Sequence, residues 1–178
     1  HWHWGNGELG NNGVHSLDLA RWGLGVDCPV RVTYNGGRYH FDDDQETPDT
    51  GTAVFDFGAC GASWEQSSCH GRKPESHGIA VFYGEKGRLS LDGGGYVIHD
   101  PDGKEVGRGT GPAGDVSHFE DFFDAIRQGR EPHSEIEDAQ KSTMLCHLGN
   151  MAYRTGKTVR FDPATRRLVD CPEAEQLW

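Results

Sequence analysis

Glycine-rich turns at short intervals divide the middle of the chain and limit what it can fold into. The segments between these turns are only a few residues long, and residues such as Val30, Val32 and Tyr34 alternate with polar ones. The turns are Asn35-Gly36-Gly37, Gly58-Ala59-Cys60-Gly61, Gly84-Glu85-Lys86-Gly87, Gly93-Gly94-Gly95 and Pro101-Asp102-Gly103. Short, half-buried strands joined by tight turns give this pattern. The sequence therefore predicts an antiparallel meander.

The meander is expected to contain six strands, and a seventh strand lies near the end of the chain. We predict strands at residues 30–34, 52–57, 62–67, 79–83, 88–91, 96–99 and 159–161. The acidic stretch at residues 42–46 is predicted to be an exposed loop. Its carboxylates lack the ligand spacing of an EF-hand, so a calcium site is not predicted.

Helices are expected on both sides of the meander. A first helix is predicted to start near Asn12, which is a good N-cap residue, and to end at Gly23 or Gly25. Two capping boxes, at residues 117–120 and 134–137, predict the starts of two later helices, which should end at Gly129 and Gly156. The first of these carries an apolar stripe formed by Phe119, Phe122, Phe123 and Ile126.

This order of helix, strands and helices is typical of the α+β class. We predict a single domain over residues 1–178. It is built on an open, mainly antiparallel β-sheet of about five to seven strands, with helices packed on one face.

Composition excludes several partners. The 178-residue chain has a formal net charge of −11, which would repel nucleic acid, and it contains no apolar run long enough to span a membrane. Both ends look like cuts inside a longer protein, because the chain begins with His1-Trp2-His3-Trp4 and ends with Gln176-Leu177-Trp178. We expect a cytoplasmic location, with the periplasm as an alternative if a targeting segment precedes His1.

The cysteines are expected to be structural thiols. The five residues, Cys28, Cys60, Cys69, Cys146 and Cys171, form no CxxC pair, which argues against a zinc ribbon or a dense disulfide framework. A single bridge between Cys60 and Cys69 remains open.

Three segments resemble the Gfo/Idh/MocA oxidoreductases. The Gly-rich residues 5–13 lead into Gly13-Val14-His15-Ser16-Leu17-Asp18, which is similar to the Gly-x-His-x-x-Asp segment of the family's C-terminal domain. Residues 119–132 are similar to the family's F-x-x-A-I-x-x-G-R-x-P element. Residues 144–161 are similar to the sequences of the family's bacterial members. The order of the three motifs is more specific than any one of them.

The resemblance implies a substrate-binding and assembly domain of an NAD(P)-dependent oxidoreductase that transfers hydride at a secondary alcohol of a sugar or polyol. The family's N-terminal Rossmann domain, its dinucleotide fingerprint and its Glu-Lys-Pro motif with the catalytic Lys are absent from this sequence. NAD or NADP would be bound by the full-length parent, whereas this chain alone should bind no cofactor and be inactive. We interpret Gly5-x-Gly7-x-x-Gly10 as a chance match, since no βαβ unit surrounds it.

The candidate site residues follow the Gly-rich loop. His15 is the candidate base for the substrate hydroxyl proton, with a packing or capping role at the helix start as the alternative. Asp18 could orient the imidazole or bind a hydroxyl, or be a solvated helix residue. Asn11 occupies a position where many family members have an Asp; Asn11 and Asn12 could bind hydroxyls or shape the turn. Trp4 could stack on a sugar ring or dock on the missing domain. A metal site including His1 and His3 is considered and not predicted.

Other functions and assembly states remain open at this point. The same scaffold carries NAD-dependent glycosidases, and a non-catalytic carbohydrate-binding or oligomerisation module is a further alternative. A homo-dimer or tetramer is expected through the uncovered sheet face, for which the candidate residues are Val30, Val32, Phe55, Phe57 and Trp64.

Overall fold

A computed structural model describes residues 1–69, 78–111 and 114–178. The chain forms two compact units, His1–Arg72 with Gln140–Trp178 and Lys73–Ala139. A π-helical segment at Leu9–Gly13 comes first. The other elements are α1 Val14–Leu24, β1 Arg31–Gly37, β2 Thr50–Asp56, β3 Gly61–Ser67, β4 Ala80–Gly84, β5 Gly87–Asp92, β6 Gly95–His99, β7 Glu105–Thr110, α2 Asp115–Gln128, α3 Ile136–Thr155, β8 Val159–Asp162, β9 Arg167–Val169 and α4 Pro172–Glu175.

The first unit is built on a five-stranded antiparallel sheet in the order β3-β2-β1-β8-β9. Because side chains alternate along a strand, β1 and β2 present one face through Val32, Tyr34, Ala53 and Phe55, all of which are buried. The two helical segments before β1 and the helix α3 supply the opposite side of this core. The residues that they contribute include Leu9, Leu17, Leu145, Leu148, Met151 and Ala152.

The other face of this sheet is largely polar. Asn35, Thr52 and Glu65 lie side by side across β1, β2 and β3, and Val54 is 45% exposed. Val32 and Phe55 are fully buried, and Phe57 and Trp64 pack against the core. Of the five residues that we expected on an uncovered face, these four therefore face the core instead; Val30 alone is exposed, and it precedes β1.

The second unit contains a four-stranded antiparallel sheet in the order β4-β5-β6-β7, followed by α2. The helix α2 ends at Gly129, whose φ of 63° is the left-handed conformation that glycine adopts readily. Its predicted apolar stripe is largely exposed. Phe119, Phe122, Phe123 and Ile126 are 49–66% exposed.

The α+β class and the antiparallel arrangement are confirmed, but the strands form two sheets and not one. The single-domain assignment stays a prediction. The predicted capping box at residues 117–120 is wrong: the N-cap of α2 is Gly114, three residues before Ser117, and the Ser117 hydroxyl donates to the Gly114 carbonyl at 2.9 Å. The sequence analysis also missed β7, β9 and α4.

All five cysteines are free thiols. Cys60 and Cys69 lie at opposite ends of β3, so the length of a seven-residue strand separates them. At about 3.3 Å per residue this distance is far greater than the 4.4–6.8 Å between the Cα atoms of a disulfide. The bridge left open in the sequence analysis does not form.

A buried carboxylate, Asp49, holds the loop after β1. Its Oδ2 accepts hydrogen bonds from the backbone N–H groups of Tyr39 and His40, both at 3.0 Å, and of Phe41 at 3.4 Å, and Thr50 Oγ1 donates to Oδ1 at 2.8 Å. Burial alone would raise the pKa of Asp49. The hydrogen bonds outweigh burial, and the pKa is lowered from its ordinary value.

This arrangement predicts acid-sensitive stability. Because the pKa of Asp49 is lower in the folded state, its contribution is present above the unfolded-state value of about 3.9 and is lost as the pH falls through the folded-state value. We expect Asp49→Asn to reduce the free energy of unfolding by about 1–3 kcal/mol at pH 7, and by less at pH 3. Urea denaturation at both pH values measures this difference. Asp44→Asn, in the same loop, is the control, and an equal loss for Asp49→Asn at both pH values would contradict the role of its charge.

Candidate active site

The first helix starts earlier than expected. The right-handed helical backbone begins at Glu8, directly after Gly7, whose φ is 64°. It continues through the π-helical segment Leu9–Gly13 and runs into α1, which ends at Gly25 with a φ of 65°. Asn12 therefore lies inside the helix, and its predicted role as N-cap is wrong. The predicted end at Gly25 is confirmed.

Close packing fixes the π-helical segment. Leu9 is 1% exposed, and a Cβ at Gly149 of α3 would lie only 2.5 Å from Leu9 Cδ2. A Cβ at Gly13 would lie 3.0 Å from both Leu9 and Trp64 of β3. The Cys146 thiol donates to the Leu9 carbonyl at 3.2 Å, and burial raises the pKa of this thiol to about 12, so that it keeps its proton. π-Helical segments often occur at functional sites.

The opposite side of the same helix is polar. The Asn11 amide nitrogen donates to Glu8 Oε2 at 3.5 Å, and the Asn12 amide nitrogen donates to Glu8 Oε1. His15 follows four residues after Asn11 and is exposed. Helical spacing places Glu8, Asn11, Asn12 and His15 along one side, whereas Leu9, Gly13 and Leu17 form the buried side. We call these four polar residues the Glu8–His15 face.

The side chain of Asp18 contacts Ser142 and Arg21. Its Oδ1 accepts a hydrogen bond from the Ser142 hydroxyl of α3 at 2.5 Å and lies 3.7 Å from Arg21. Arg21 is 4% exposed, and its Nε donates to the same hydroxyl at 2.9 Å. Asp18 thus contributes to the contact between α1 and α3, and the predicted interaction with His15 is not among its contacts.

Contacts from several elements hold the residues before the helix. Asn150 of α3 donates to the Asn6 carbonyl at 2.8 Å. Glu46 accepts a hydrogen bond from the Trp2 backbone N–H at 2.7 Å. The Trp2 ring lies 6.0 Å from Tyr153 and 5.3 Å from the Arg154 guanidinium. These contacts define the position of the Gly-rich loop that leads to Glu8.

Trp4 is separate from this anchoring. Its side chain is 81% exposed, and its ring lies 4.6 Å from that of His3. The structure does not bring it to Asn11, Asn12 or Asp18 through any recorded contact. A role for Trp4 in stacking on a ligand stays a prediction.

Tyr34 brings a buried hydroxyl close to the same region. Its side chain is 6% exposed, and its hydroxyl has no hydrogen-bond partner among the residues that the structure describes. Burial is the main reason why the pKa of Tyr34 is raised, and the nearby Tyr153 and Glu8 raise it further. The Tyr34 hydroxyl therefore keeps its proton at neutral pH.

A shallow cleft of about 230 Å³ lies elsewhere on the first unit. It is lined by residues of β1, β2 and β3 and by Tyr39, and it contains none of Trp4, Asn11, Asn12, His15 and Asp18. Its lining is Asn35, Gly36, Tyr39, Thr50, Gly51, Thr52, Glu65 and Gln66.

In residues 1–69, 78–111 and 114–178, no group of three or more His, Cys, Asp or Glu side chains could hold a metal ion. Within those ranges, too, no helix is long and apolar enough to cross a membrane. Both sheets are antiparallel, so within these residues no parallel βαβ unit, the setting of a dinucleotide site, surrounds Gly5, Gly7 and Gly10.

Sequence reasoning missed Glu8. The signal was present, because Glu8 precedes Asn11 by three residues and Asn12 by four, the spacing of neighbours on a helix surface. It was overlooked because the helix was expected to begin at Asn12, which left Glu8 in a loop.

Two family descriptions together match most of the chain. Residues 1–90 match the GFO/IDH/MocA C-terminal domain, and residues 94–178 match the oxidoreductase family, C-terminal alpha/beta domain. The sequence matches no curated protein.

The fold is similar to about half of several solved oxidoreductases. One is an oxidoreductase from Agrobacterium radiobacter in complex with NAD+, L-tartaric acid and magnesium, at 19% identity and a TM-score of 0.60, with 83% of this chain and 47% of that chain covered. A second is aldose-aldose oxidoreductase from Caulobacter crescentus complexed with glycerol, at 18% identity and a TM-score of 0.57, with 84% of this chain and 46% of that chain covered. A third is the WlbA dehydrogenase from Bordetella pertussis in complex with NADH and UDP-GlcNAcA, at 15% identity and a TM-score of 0.55, with 85% of this chain and 44% of that chain covered.

At these identities the solved structures establish the fold, whereas the family matches establish descent. The chain spans about half the length of each of these oxidoreductases. It belongs to the Gfo/Idh/MocA oxidoreductase family and comprises the C-terminal domain of that family.

Proposed function

We propose that the chain is the substrate-binding and assembly part of an NAD(P)-dependent oxidoreductase that acts on a secondary alcohol of a sugar or polyol. The observation that carries the proposal is the Glu8–His15 face, where an exposed imidazole and two amides lie along one helix beside an anchored Gly-rich loop. The Caulobacter protein of similar fold, solved with glycerol, supports this substrate class.

His15 is the residue that we propose to accept the proton. Oxidation of a secondary alcohol removes the hydroxyl proton, and an imidazole within hydrogen-bond reach can take it. Asn11 and Asn12 would bind neighbouring hydroxyls through their amides, and Trp4 is a further candidate for stacking on a sugar ring. Asp18, which holds α1 against α3, would support the position of His15.

The cofactor would be held outside this chain. Nicotinamide cofactors supply the hydride acceptor in reactions of this class. The described residues do not fit a dinucleotide, because both of their sheets are antiparallel, whereas a dinucleotide binds at the switch point of a parallel βαβ sheet. The full-length protein would bind NAD or NADP through another part of its chain.

Turnover by the full-length protein tests the proposal. We expect formation of NADH or NADPH when it is given a neutral sugar or polyol, and none when this chain alone is used. Calorimetric titration of this chain with NAD+ and NADP+ should give a Kd weaker than about 0.1 mM, which corresponds to roughly −5.5 kcal/mol. Tighter binding of NAD+ or NADP+ by the chain alone would contradict the proposal that the cofactor is held outside this chain. Sugar binding without turnover in the full-length protein would favour a non-catalytic carbohydrate-binding module.

We also propose that the chain assembles as a homo-dimer or tetramer through the outer face of the five-stranded sheet. That face is made of polar side chains with the exposed Val54 among them. The contacts would therefore be mainly hydrogen bonds and ion pairs, unlike the apolar patch expected from the sequence.

A further inference from the structure

The Glu8 carboxylate determines how two amides are turned. An ionised carboxylate can only accept hydrogen bonds, so the amides of Asn11 and Asn12 must both present their nitrogen atoms to it. The oxygen atom of each amide lies on the other side of its carbonyl carbon. Both amide oxygens therefore point away from Glu8.

This orientation sets what the Glu8–His15 face can bind. Two outward amide oxygens and a carboxylate are hydrogen-bond acceptors, and they suit the hydroxyl donors of a polyol. We propose that Glu8 makes this face selective for neutral polyols over carboxylated or phosphorylated ones, by orienting Asn11 and Asn12 and by placing a negative charge beside the ligand. This inference rests on the proposed function, whose substrate class it narrows.

The groups around Glu8 leave its negative charge uncompensated. Tyr34 is neutral because its pKa is raised. The Arg154 guanidinium lies 5.3 Å from the Trp2 ring, and His1 is paired with Glu46 at 2.9 Å. His15 is the remaining titratable group on the face itself, and it is four residues from Asn11. Within the described residues no ion pair neutralises Glu8, so an anionic ligand would meet its charge.

The orientation can be tested in this chain without any ligand. The side-chain NH₂ resonances of Asn11 and Asn12 should shift together when the Glu8 carboxyl is protonated at low pH, and Glu8→Gln should abolish this acid transition. A transition caused by His15 would persist in Glu8→Gln, so the two groups are distinguished. Asn150, whose amide donates to a carbonyl, is the internal control. If neither Asn11 nor Asn12 responds to Glu8, the orienting role is overturned.

The selectivity is tested in the full-length protein with D-glucose and D-glucuronate, which differ by a carboxylate on the same ring. We expect kcat/KM to favour the neutral sugar, and Glu8→Gln to reduce this preference by about tenfold, mainly through KM. Glu85→Gln, in the exposed turn between β4 and β5, is the matched control and should leave the ratio unchanged.

The outcomes separate this inference from the proposed function. Turnover of neutral sugars with an unchanged ratio in Glu8→Gln would overturn the inference and leave the oxidoreductase assignment standing. A preference for glucuronate in the unmodified protein would overturn it as well. If no sugar or polyol is oxidised while the amide resonances still follow Glu8, the proposed function fails, the selectivity fails with it, and only the orientation of the amides survives.

Discussion

Replacing His15 with Ala in the full-length protein is expected to lower kcat by about 10²–10⁴, because loss of a general base typically costs this much. The side chain is exposed and lies on the side of the helix opposite to Leu9, Gly13 and Leu17, so its removal should leave the core intact. The loss should appear in kcat more than in KM, since proton abstraction belongs to the chemical step.

The control for this variant is His118→Ala. His118 is an exposed histidine on α2, in the second unit, and its loss should leave kcat unchanged. The two variants should also have the same Tm, which thermal denaturation measures. Near-normal kcat for His15→Ala between pH 6 and 9 would mean that His15 is only a structural helix residue.

The fold was predicted where local turn signals were strong. The strands β1 to β6 were located within a few residues, because glycine-rich turns separate them and each carries alternating side chains. The strand β7 was missed, since Gly107 and Gly109 occupy alternate positions and remove the apolar periodicity. The division into two sheets could not be predicted, because pairing between β1 and β8 joins residues more than 120 positions apart.

The site was predicted only in part, because long-range contacts decide which side chains lie together. His15, Asn11 and Asn12 were selected from a sequence motif, and they lie along one helix, so local spacing was enough to group them. Asp18 belongs to the same sequence motif as His15, but its hydrogen-bond partner Ser142 lies 124 residues away in the sequence. Glu8 was missed because its spacing to Asn11 and Asn12 has meaning only if the helix extends back to Glu8, and the helix was expected to begin at Asn12. Close packing of Leu9 on Gly149 accompanies this extension, and it too is a long-range contact.

Replacing Leu9 with Ala is expected to reduce the free energy of unfolding by about 2–5 kcal/mol, the usual range for a fully buried leucine. Leu9 is 1% exposed, and the flanking Gly149 and Gly13 leave no side chain that could fill the space. The cavity should therefore persist, which places the loss in the upper part of the range. Urea denaturation measures it, and Ile126→Ala, at a side chain that is 66% exposed on α2, should change the free energy by about 0.5 kcal/mol or less.

The same substitution connects stability to the site. Leu9 is the first residue of the π-helical segment, and its neighbours Glu8, Asn11 and Asn12 lie on the opposite side of the same turns. If Leu9 anchors these turns, Leu9→Ala should also weaken the shared response of the Asn11 and Asn12 amides to Glu8, whereas Leu9→Met, which conserves volume, should preserve it. A Leu9→Ala loss below about 1 kcal/mol would show that the helix start is not held by the core. His15 would then lack the rigid support that a catalytic base requires.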